Sequence, residues 1–450
     1  ISPNQYQIFG LGIGFKKFKG TINFNNSGTT LRLLTGLLAT SEVDVKLIGD
    51  LSLSKRPLRI ISLMENFFAT FNPKNKNYLP IKISGYPDSI QSELVVNKPS
   101  AQMVSACILA GMNSHGITTI KAPNLQRDHT ELMLKYLKYP IKVQNKKNSK
   151  IIKIRGKQFL KAEKNYLVPG DPSSAAFLIV LALLSKNSNL SLPNVLLNPK
   201  RIGFLNVLKK MGGLIKILNK KKQYGEMTGT IQVKSSLLRG VKINKKIIPN
   251  IIDEVPILMI AASFANSETF FPNLEELKIK ESDRLLAMEN NLKKIGIKTK
   301  RISNDMTILG ASEEFYSNKI ITIDSYKDHR IALSFAVMAM VSQKRILIKD
   351  FDSAKVSYPN FLNDIQKIKN KKFKQIIIGM DGPVGSGKTS VAKYAVSKIK
   401  NSLFLDSGLL YRFLAKKHLD QKSKTINVKK LIAIAQTITL KQLQSSGLHS

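Results

Sequence analysis

Four short clusters along this 450-residue chain gather arginine, lysine, histidine and carboxylates. They are Arg127-Asp128-His129-Thr130-Glu131, Asp253-Glu254, Lys280-Glu281-Ser282-Asp283-Arg284 and Asp328-His329-Arg330, and Arg56 stands alone before Pro57. The planar fork of an arginine pairs with carboxylate or phosphate through two parallel hydrogen bonds. Arg56, Arg127, Arg284 and Arg330 therefore read as forks for an anionic substrate. A carboxylate such as Asp253, just ahead of an apolar run, can cap a helix or take a proton from a substrate hydroxyl. Glu281 and Arg284 share a face if their segment is helical. The plainer alternative there is a solvated helix start with local ion pairs. The 5 histidines show no metal-ligand spacing, and His129 and His329, each beside Asp and Arg, suit hydrogen bonding better than metal.

A different chemistry is written near the C-terminus. Gly382-Pro383-Val384-Gly385-Ser386-Gly387-Lys388-Thr389 satisfies the P-loop pattern, between a strand-like apolar run at 376–380 and a helix-like run at 390–399. Backbone N–H groups from Gly382 onward would cradle phosphates, Lys388 would reach the β and γ oxygens, and Thr389 would hold Mg²⁺.

The elements that must position these residues recur along the chain. Five segments open on polar, Gly-, Ser- or Pro-containing residues and continue as apolar helices expected over 33–39, 103–111, 175–184, 257–265 and 331–341. Their markers Asn26, Pro99, Asp171, Asp253 and Asp328 are spaced 73, 72, 82 and 75 residues apart. Short β-like runs at 45–48, 117–120, 150–154 and 320–323 lie between them. This period is too long for the common short-repeat solenoids and indicates a repeated α/β unit. Helices apolar almost all round should be buried. Their polar starts must then supply caps for the free N–H groups. Converging starts would make an anion site, because orphan N–H groups and helix dipoles point the same way. With 25 residues ahead of Asn26 and Ile1 in place of Met, most of one upstream unit is expected to be absent.

Composition narrows the classes. Length gives a prior of two to three domains. One cysteine, Cys107, excludes an intramolecular disulfide and a multi-Cys metal site. It falls within an apolar run and reads as a small buried hydrophobe. The longest apolar run, 175–184, is short of the roughly 18 residues a membrane span needs. The net charge of +41 invites a nucleic-acid reading. Yet it comes from 59 Lys against 12 Arg, in turn-like tracts such as Lys220-Lys221-Lys222, with no aromatic interleaving and no Trp. A solvated lysine surface explains it better. Where surface positions have drifted to lysine, each remaining arginine needs its fork.

Taken together, the motifs over residues 1–370 resemble the 3-phosphoshikimate 1-carboxyvinyltransferase (EPSP synthase) family. Arg127–Glu131, Gly170-Asp171-Pro172-Ser173-Ser174, Asn198-Pro199-Lys200-Arg201-Ile202-Gly203 and Lys280–Arg284 carry the likeness. The resemblance implies a two-lobed α/β fold of repeated βαβαββ-type units, an inside-out barrel whose buried helices start at the interlobe cleft. The lobes are expected over 1–235, with units two to four, and 236–370. It implies enolpyruvyl transfer from phosphoenolpyruvate to the 5-hydroxyl of shikimate 3-phosphate, without a cofactor, in a bacterial cytoplasm. Ser100, Ala101, Gln102, Arg127, Asp253 and Lys280 would contact shikimate 3-phosphate. Gly28, Arg56, Gln102, Arg284 and Arg330 would hold phosphoenolpyruvate. Asp253 resembles the base for the 5-hydroxyl, and Glu281 the acid/base near the methylene. Gly28 stands where some glyphosate-tolerant relatives carry Ala, which implies a glyphosate-sensitive enzyme. The family's first unit, with its Lys-Ser pair and nearby Arg, has no counterpart, so the chain as it stands is expected to be inactive or impaired.

Residues 371–450 resemble the start of bacterial cytidylate kinase. The P-loop Gly382–Thr389 would bind Mg-ATP, and Ser407 and Arg412, from Leu405-Asp406-Ser407-Gly408-Leu409-Leu410-Tyr411-Arg412, would touch CMP. A kinase of that type is much longer, so no kinase activity is expected. Two alternatives remain open at this point: a UDP-sugar enolpyruvyl transferase of the same fold, which typically uses a reactive Cys on a mobile loop, and a basic nucleic-acid-binding protein. The main reading names small-molecule partners only, with no nucleic acid and no membrane.

Overall fold

A computed structural model describes residues 5–10, 17–74, 76–97, 100–124, 127–161, 165–310, 320–342, 344–369 and, farther on, 390, 394, 397, 413–416 and 419. The chain forms two compact units, 1–362 and 363–450. The fold described below lies in the first.

The period in the sequence is a period in topology. Strands Phe18–Asn23, Val43–Ile48, Thr70–Asn72 and Ile81–Ser84 form one sheet in the order first, second, fourth, third. The first two run parallel and the other neighbours antiparallel. Strands Glu93–Val95, Ile117–Pro123, Ile141–Asn145 and Ser149–Arg155 repeat that order and those directions. In each unit a helix bridges the parallel pair, as a parallel connection requires. They are Gly28–Ala39 in the first and Ala101–Asn113 in the second. The third and fourth units reduce their opening strand to a single parallel bridge, Gly170 to Val195 and Lys242 to Phe270. Each keeps the rest: Asn189–Leu196, Leu214–Gln223 and Glu226–Lys234 in one sheet, and Thr269–Phe271, Thr299–Ile302 and Asp305–Ile308 in the other. The fifth pairs Ile321–Asp324 with Ile346–Lys349, in parallel, across helix His329–Ser342.

All five helices begin earlier than the apolar runs suggest, at Gly28, Ala101, Pro172, Val255 and His329. In four of them polar residues ahead of the run enter the first helical turn, whereas Asp253 and Glu254 stay outside helix Val255–Ser263 and Glu254 makes no side-chain cap. Ser27, Ser100 and Asp171 are the true N-caps, accepting from the backbone N–H of Thr30, Met103 and Ser174. Helix Pro172–Leu184 buries ten of its 13 residues, and every residue of Val255–Ser263 is buried. That is the fate of a helix with no polar face.

Packing divides the units differently from the expected boundary at 235. Helices Gly28–Ala39 and Ala101–Asn113 pack together, and one core cluster spans Phe24 to Ile154. Helix Pro172–Leu184 packs instead against Val255–Ser263 and His329–Ser342. The third unit thus sides with the fourth and fifth, and the division falls between Arg155 and Gly170. Sequence spacing counts units but says nothing of which apolar surfaces meet. In the first pair of helices the backbones nearly touch. A Cβ on Gly36 would lie 2.2 Å from the carbonyl oxygen of Ala106, so only glycine fits.

Candidate active site

The helix starts deliver the charged clusters to one place. Asp253, on the turn before helix Val255–Ser263, is its centre. Arg127 Nη2 donates to Asp253 Oδ2 at 2.6 Å, across the division between the two groups of units. Lys280 Nζ lies 3.4 Å and Arg284 Nη1 3.7 Å from Asp253 Oδ1. Arg330 Nη1 donates to the backbone carbonyl of Asp253 at 2.7 Å. Burial alone would raise the Asp253 carboxyl. Arg330, Lys280, Arg127 and Arg284 outweigh it and hold the group well below the usual carboxylate range.

Glu281 sits beside this centre. Arg284 Nη2 donates to Glu281 Oε2, and Arg56 Nη1 lies 3.9 Å from Glu281 Oε1. The pairing does not come from a shared helical face. Glu281 lies in a bend, and the helix begins only at Arg284, capped by the Asp283 carboxylate on the Leu286 N–H. Arg284 is fully buried, its Nε donating to Asp328 Oδ2 at 2.8 Å. Burial penalises the Arg284 charge, but Asp328 and Glu281 more than compensate and raise its pKa. For Glu281 and Asp328, burial acts upward and Arg284 overrides it, so both carboxyls titrate below normal. For His329 the pull of Asp328 and Glu281 does not suffice. Burial, then Arg330 and Arg284, push it down to about 4, so it is neutral at pH 7.

A second group of expected residues meets at the starts of helices Gly28–Ala39 and Ala101–Asn113. Gln102 Nε2 donates to Thr29 Oγ1 at 2.7 Å, and Arg32 Nη1 donates to Gln102 Oε1 at 2.9 Å. Arg56 Nη2 reaches Asn26 Oδ1 at 2.9 Å, which ties this group to the Glu281 side. Ser100 is occupied as the cap of its helix, and Ala101 is that helix's first residue. Arg32 was not among the residues singled out. Its pKa is lowered, first by burial and then by Arg56 and Arg59, which marks a cationic cluster. The scarcity of arginine was the signal that could have found it.

Gly382–Thr389, Ser407 and Arg412 lie outside the described residues. Cys107 is buried and its thiol is pushed up to about 12 by burial, so it is no reactive thiolate. That removes the observation on which a cysteine-dependent UDP-sugar transferase would rest. His129 shares its ring Nδ1 with Glu226 Oε1 at 2.5 Å, the hydrogen-bonding role its neighbours suggested. No helix among the described residues is long and apolar enough to cross a membrane.

Comparison with known proteins identifies the family. Residues 8–365 match the family model for EPSP synthase (3-phosphoshikimate 1-carboxyvinyltransferase), and residues 378–448 match that for cytidylate kinase. The 3-phosphoshikimate 1-carboxyvinyltransferase of Clostridium tetani is 42% identical over 354 residues, covering 78% of this chain and 79% of that one. The enzyme of Caldicellulosiruptor bescii is 40% identical over 363 residues, covering 80% and 83%. The solved EPSP synthase of Acinetobacter baumannii superposes with a TM-score of 0.66 at 33% identity, covering 78% of each chain. An enolpyruvyl transferase of Streptomyces tendae, 15% identical with a TM-score of 0.54, shares the fold. With its repeated βαβαββ units and converging helix starts, the chain belongs to the EPSP synthase family, and it carries cytidylate kinase-type sequence behind that domain.

Proposed function

We propose that the cluster around Asp253 transfers the enolpyruvyl group of phosphoenolpyruvate to the 5-hydroxyl of shikimate 3-phosphate and releases phosphate. The observation that carries the reading is the Asp253 carboxylate among Arg127, Lys280, Arg284 and Arg330. Such a gathering of partly buried cations calls for anionic ligands. Arg127 and Lys280, with the helix start at Ser100-Ala101-Gln102, face shikimate 3-phosphate in this reading. Arg56, Arg284, Arg330 and Gln102 hold phosphoenolpyruvate beside Gly28.

The electrostatics support the assigned order of events. In the unliganded protein the cations keep Asp253 ionised and weakly basic. When substrate phosphate and carboxylate take up those cations, their pull on Asp253 falls and its basicity rises. Asp253 then accepts the hydroxyl proton as the oxygen bonds to the enol carbon. The same substrate anions relieve the pull of Arg284 on Glu281. Glu281 thus takes up a proton on substrate binding and delivers it to the methylene carbon. It takes one back from the resulting methyl group as the bond from the carbon to the phosphate oxygen breaks and the double bond returns. The proton held by Asp253 leaves with the phosphate. Neighbouring carboxylates favour the positive charge that develops at the enol carbon. The synthase is read as cytoplasmic, with small molecules as its only partners.

For the kinase-type segment, the P-loop motif supports Mg-ATP held by Lys388 and Thr389, and Ser407 and Arg412 are read as CMP contacts. The decisive assay measures phosphate release and enolpyruvyl product from phosphoenolpyruvate plus shikimate 3-phosphate, using the full-length protein. A folded protein that gives neither defeats the reading.

A further inference from the structure

Glu254 follows Asp253 directly and meets the cluster of cations at Arg330. Its side chain is 1% exposed. Ser173, at the start of helix Pro172–Leu184, donates its hydroxyl to Glu254 Oε1 at 2.5 Å. Arg330 Nη1 approaches the same oxygen at 3.5 Å. Behind Ser173 stands Arg201, which donates from Nη2 to Ser173 Oγ at 2.9 Å and to Asp171 Oδ1 at 2.6 Å. The other carboxyl oxygen, Glu254 Oε2, is buried and has no hydrogen-bond partner. An ionised carboxylate there would leave half its charge unanswered in a dry interior, whereas a neutral acid needs less. The electrostatics point the same way. Burial and the nearby Asp253 charge raise the Glu254 carboxyl, against the pull of Arg330, Ser173 and Arg127.

The consequence concerns Arg330. An ionised Glu254 would pair with that guanidinium and compete with a substrate anion for it. A neutral Glu254 fixes the position of the fork and leaves its charge unspent. We propose that Glu254 is a positioning residue for phosphoenolpyruvate: it holds Arg330 as a neutral acid, braced through Ser173 against Arg201, so that the guanidinium charge remains available to the substrate. The inference rests on the enolpyruvyl-transfer reading. The charged groups that bear on Glu254 are Arg330, Asp253 and Arg127, with Arg201 behind Ser173.

The test is steady-state kinetics of the full-length enzyme between pH 6 and 9.5 for wild type, Glu254→Gln, Glu254→Ala and Ser173→Ala. A neutral amide should substitute for a neutral acid, so Glu254→Gln should keep kcat/KM for phosphoenolpyruvate within about threefold of wild type at pH 7. Glu254→Ala should raise KM for phosphoenolpyruvate by about tenfold or more, with kcat moving less. Any rise of that KM with pH in wild type, as Glu254 ionises, should be absent in Glu254→Gln. Ser173→Ala, a milder change that keeps the test alive if Glu254→Ala does not fold, should raise the same KM by at least threefold. An active wild type with loss of about 30-fold in Glu254→Gln overturns the inference alone, as does an unchanged KM in Ser173→Ala. A wild type that turns over neither substrate overturns the functional reading and the inference together.

Discussion

The guanidinium of Arg32 fills the space that a side chain on Gly28 would need. A Cβ on Gly28 would lie 2.8 Å from Arg32 Nη1. That same nitrogen holds Gln102 Oε1 at 2.9 Å and the Gly28 carbonyl at 3.1 Å. A methyl group at position 28 therefore displaces Arg32, and Arg32 takes Gln102 with it. Gly28→Ala should raise KM for phosphoenolpyruvate roughly tenfold, about 1.4 kcal/mol of binding. It should also weaken inhibition by glyphosate, to which the wild-type enzyme should be sensitive. Steady-state kinetics at matched phosphoenolpyruvate check both. A tolerant wild type, or an unchanged KM in the variant, contradicts them.

Arg330 tests the argument that arginine survives in this lysine-rich chain only where its fork is used. Lysine keeps the charge but cannot donate two parallel hydrogen bonds to one anion. Arg330→Lys should lower kcat/KM for phosphoenolpyruvate by about 2 kcal/mol or more, near 30-fold. A change within threefold rejects the fork.

His329 gives the fold a pH dependence of known sign. Its pKa in the folded protein is about 4, against 6.5 for the free side chain. Between those values the unfolded chain binds the extra proton and the native protein does not. Stability must therefore fall as pH drops from 6.5 toward 4, by about 3 kcal/mol in total from this group. The carboxyls of Asp328 and Glu281, shifted downward, add their losses only at more acidic pH. Denaturant midpoints of wild type and His329→Asn, compared between pH 7 and 4.5, should diverge in slope across that window. Parallel curves would remove His329 as the cause.

A buried ion pair should dominate mutational loss in the first pair of units. Lys150 Nζ bonds Glu131 Oε1, with side chains 1% and 4% exposed. Lys150→Met leaves a buried carboxylate without its partner and should cost about 3–5 kcal/mol. Lys150→Met with Glu131→Leu should recover most of that loss, because the desolvation penalty disappears with both charges. Chemical denaturation of wild type and the two variants measures the difference. A double variant no better than the single would place the stability in the pair itself.

The readability of this protein from its sequence was uneven for physical reasons. The repeat could be read because each unit must bury an apolar helix of similar length, and Ala101–Asn113 and Pro172–Leu184 announce themselves by composition. Their exact starts could not, because Ser100 or Pro172 reads as loop until a cap or a first-turn geometry is seen. The central residues Arg127, Asp253, Lys280, Glu281, Arg284 and Arg330 could be named because charge ahead of an apolar run is rare and costly. Arg32 escaped because it lies inside a helix, where an arginine is normally solvated. The mutual packing of helices Pro172–Leu184 and Val255–Ser263 escaped too, since nothing local records which apolar face meets which. Glu254 was visible only as a neighbour of Asp253, because its hydrogen bond to Ser173 joins residues 81 apart in sequence.

The glycine at position 36 has a reach beyond its own contact. Helices Gly28–Ala39 and Ala101–Asn113 run side by side and are joined in sequence order: Thr29 to Gln102, Gly36 against Ala106, Thr40 to Asn113. The joins behave like rungs of a ladder whose middle rung is direct backbone contact. Spreading the rails at that rung tilts both, and the ends that move are the ones bearing Gln102 and Arg32. A methyl group at position 36 is therefore expected to shift Gln102 and Arg32 from the interior, without touching either.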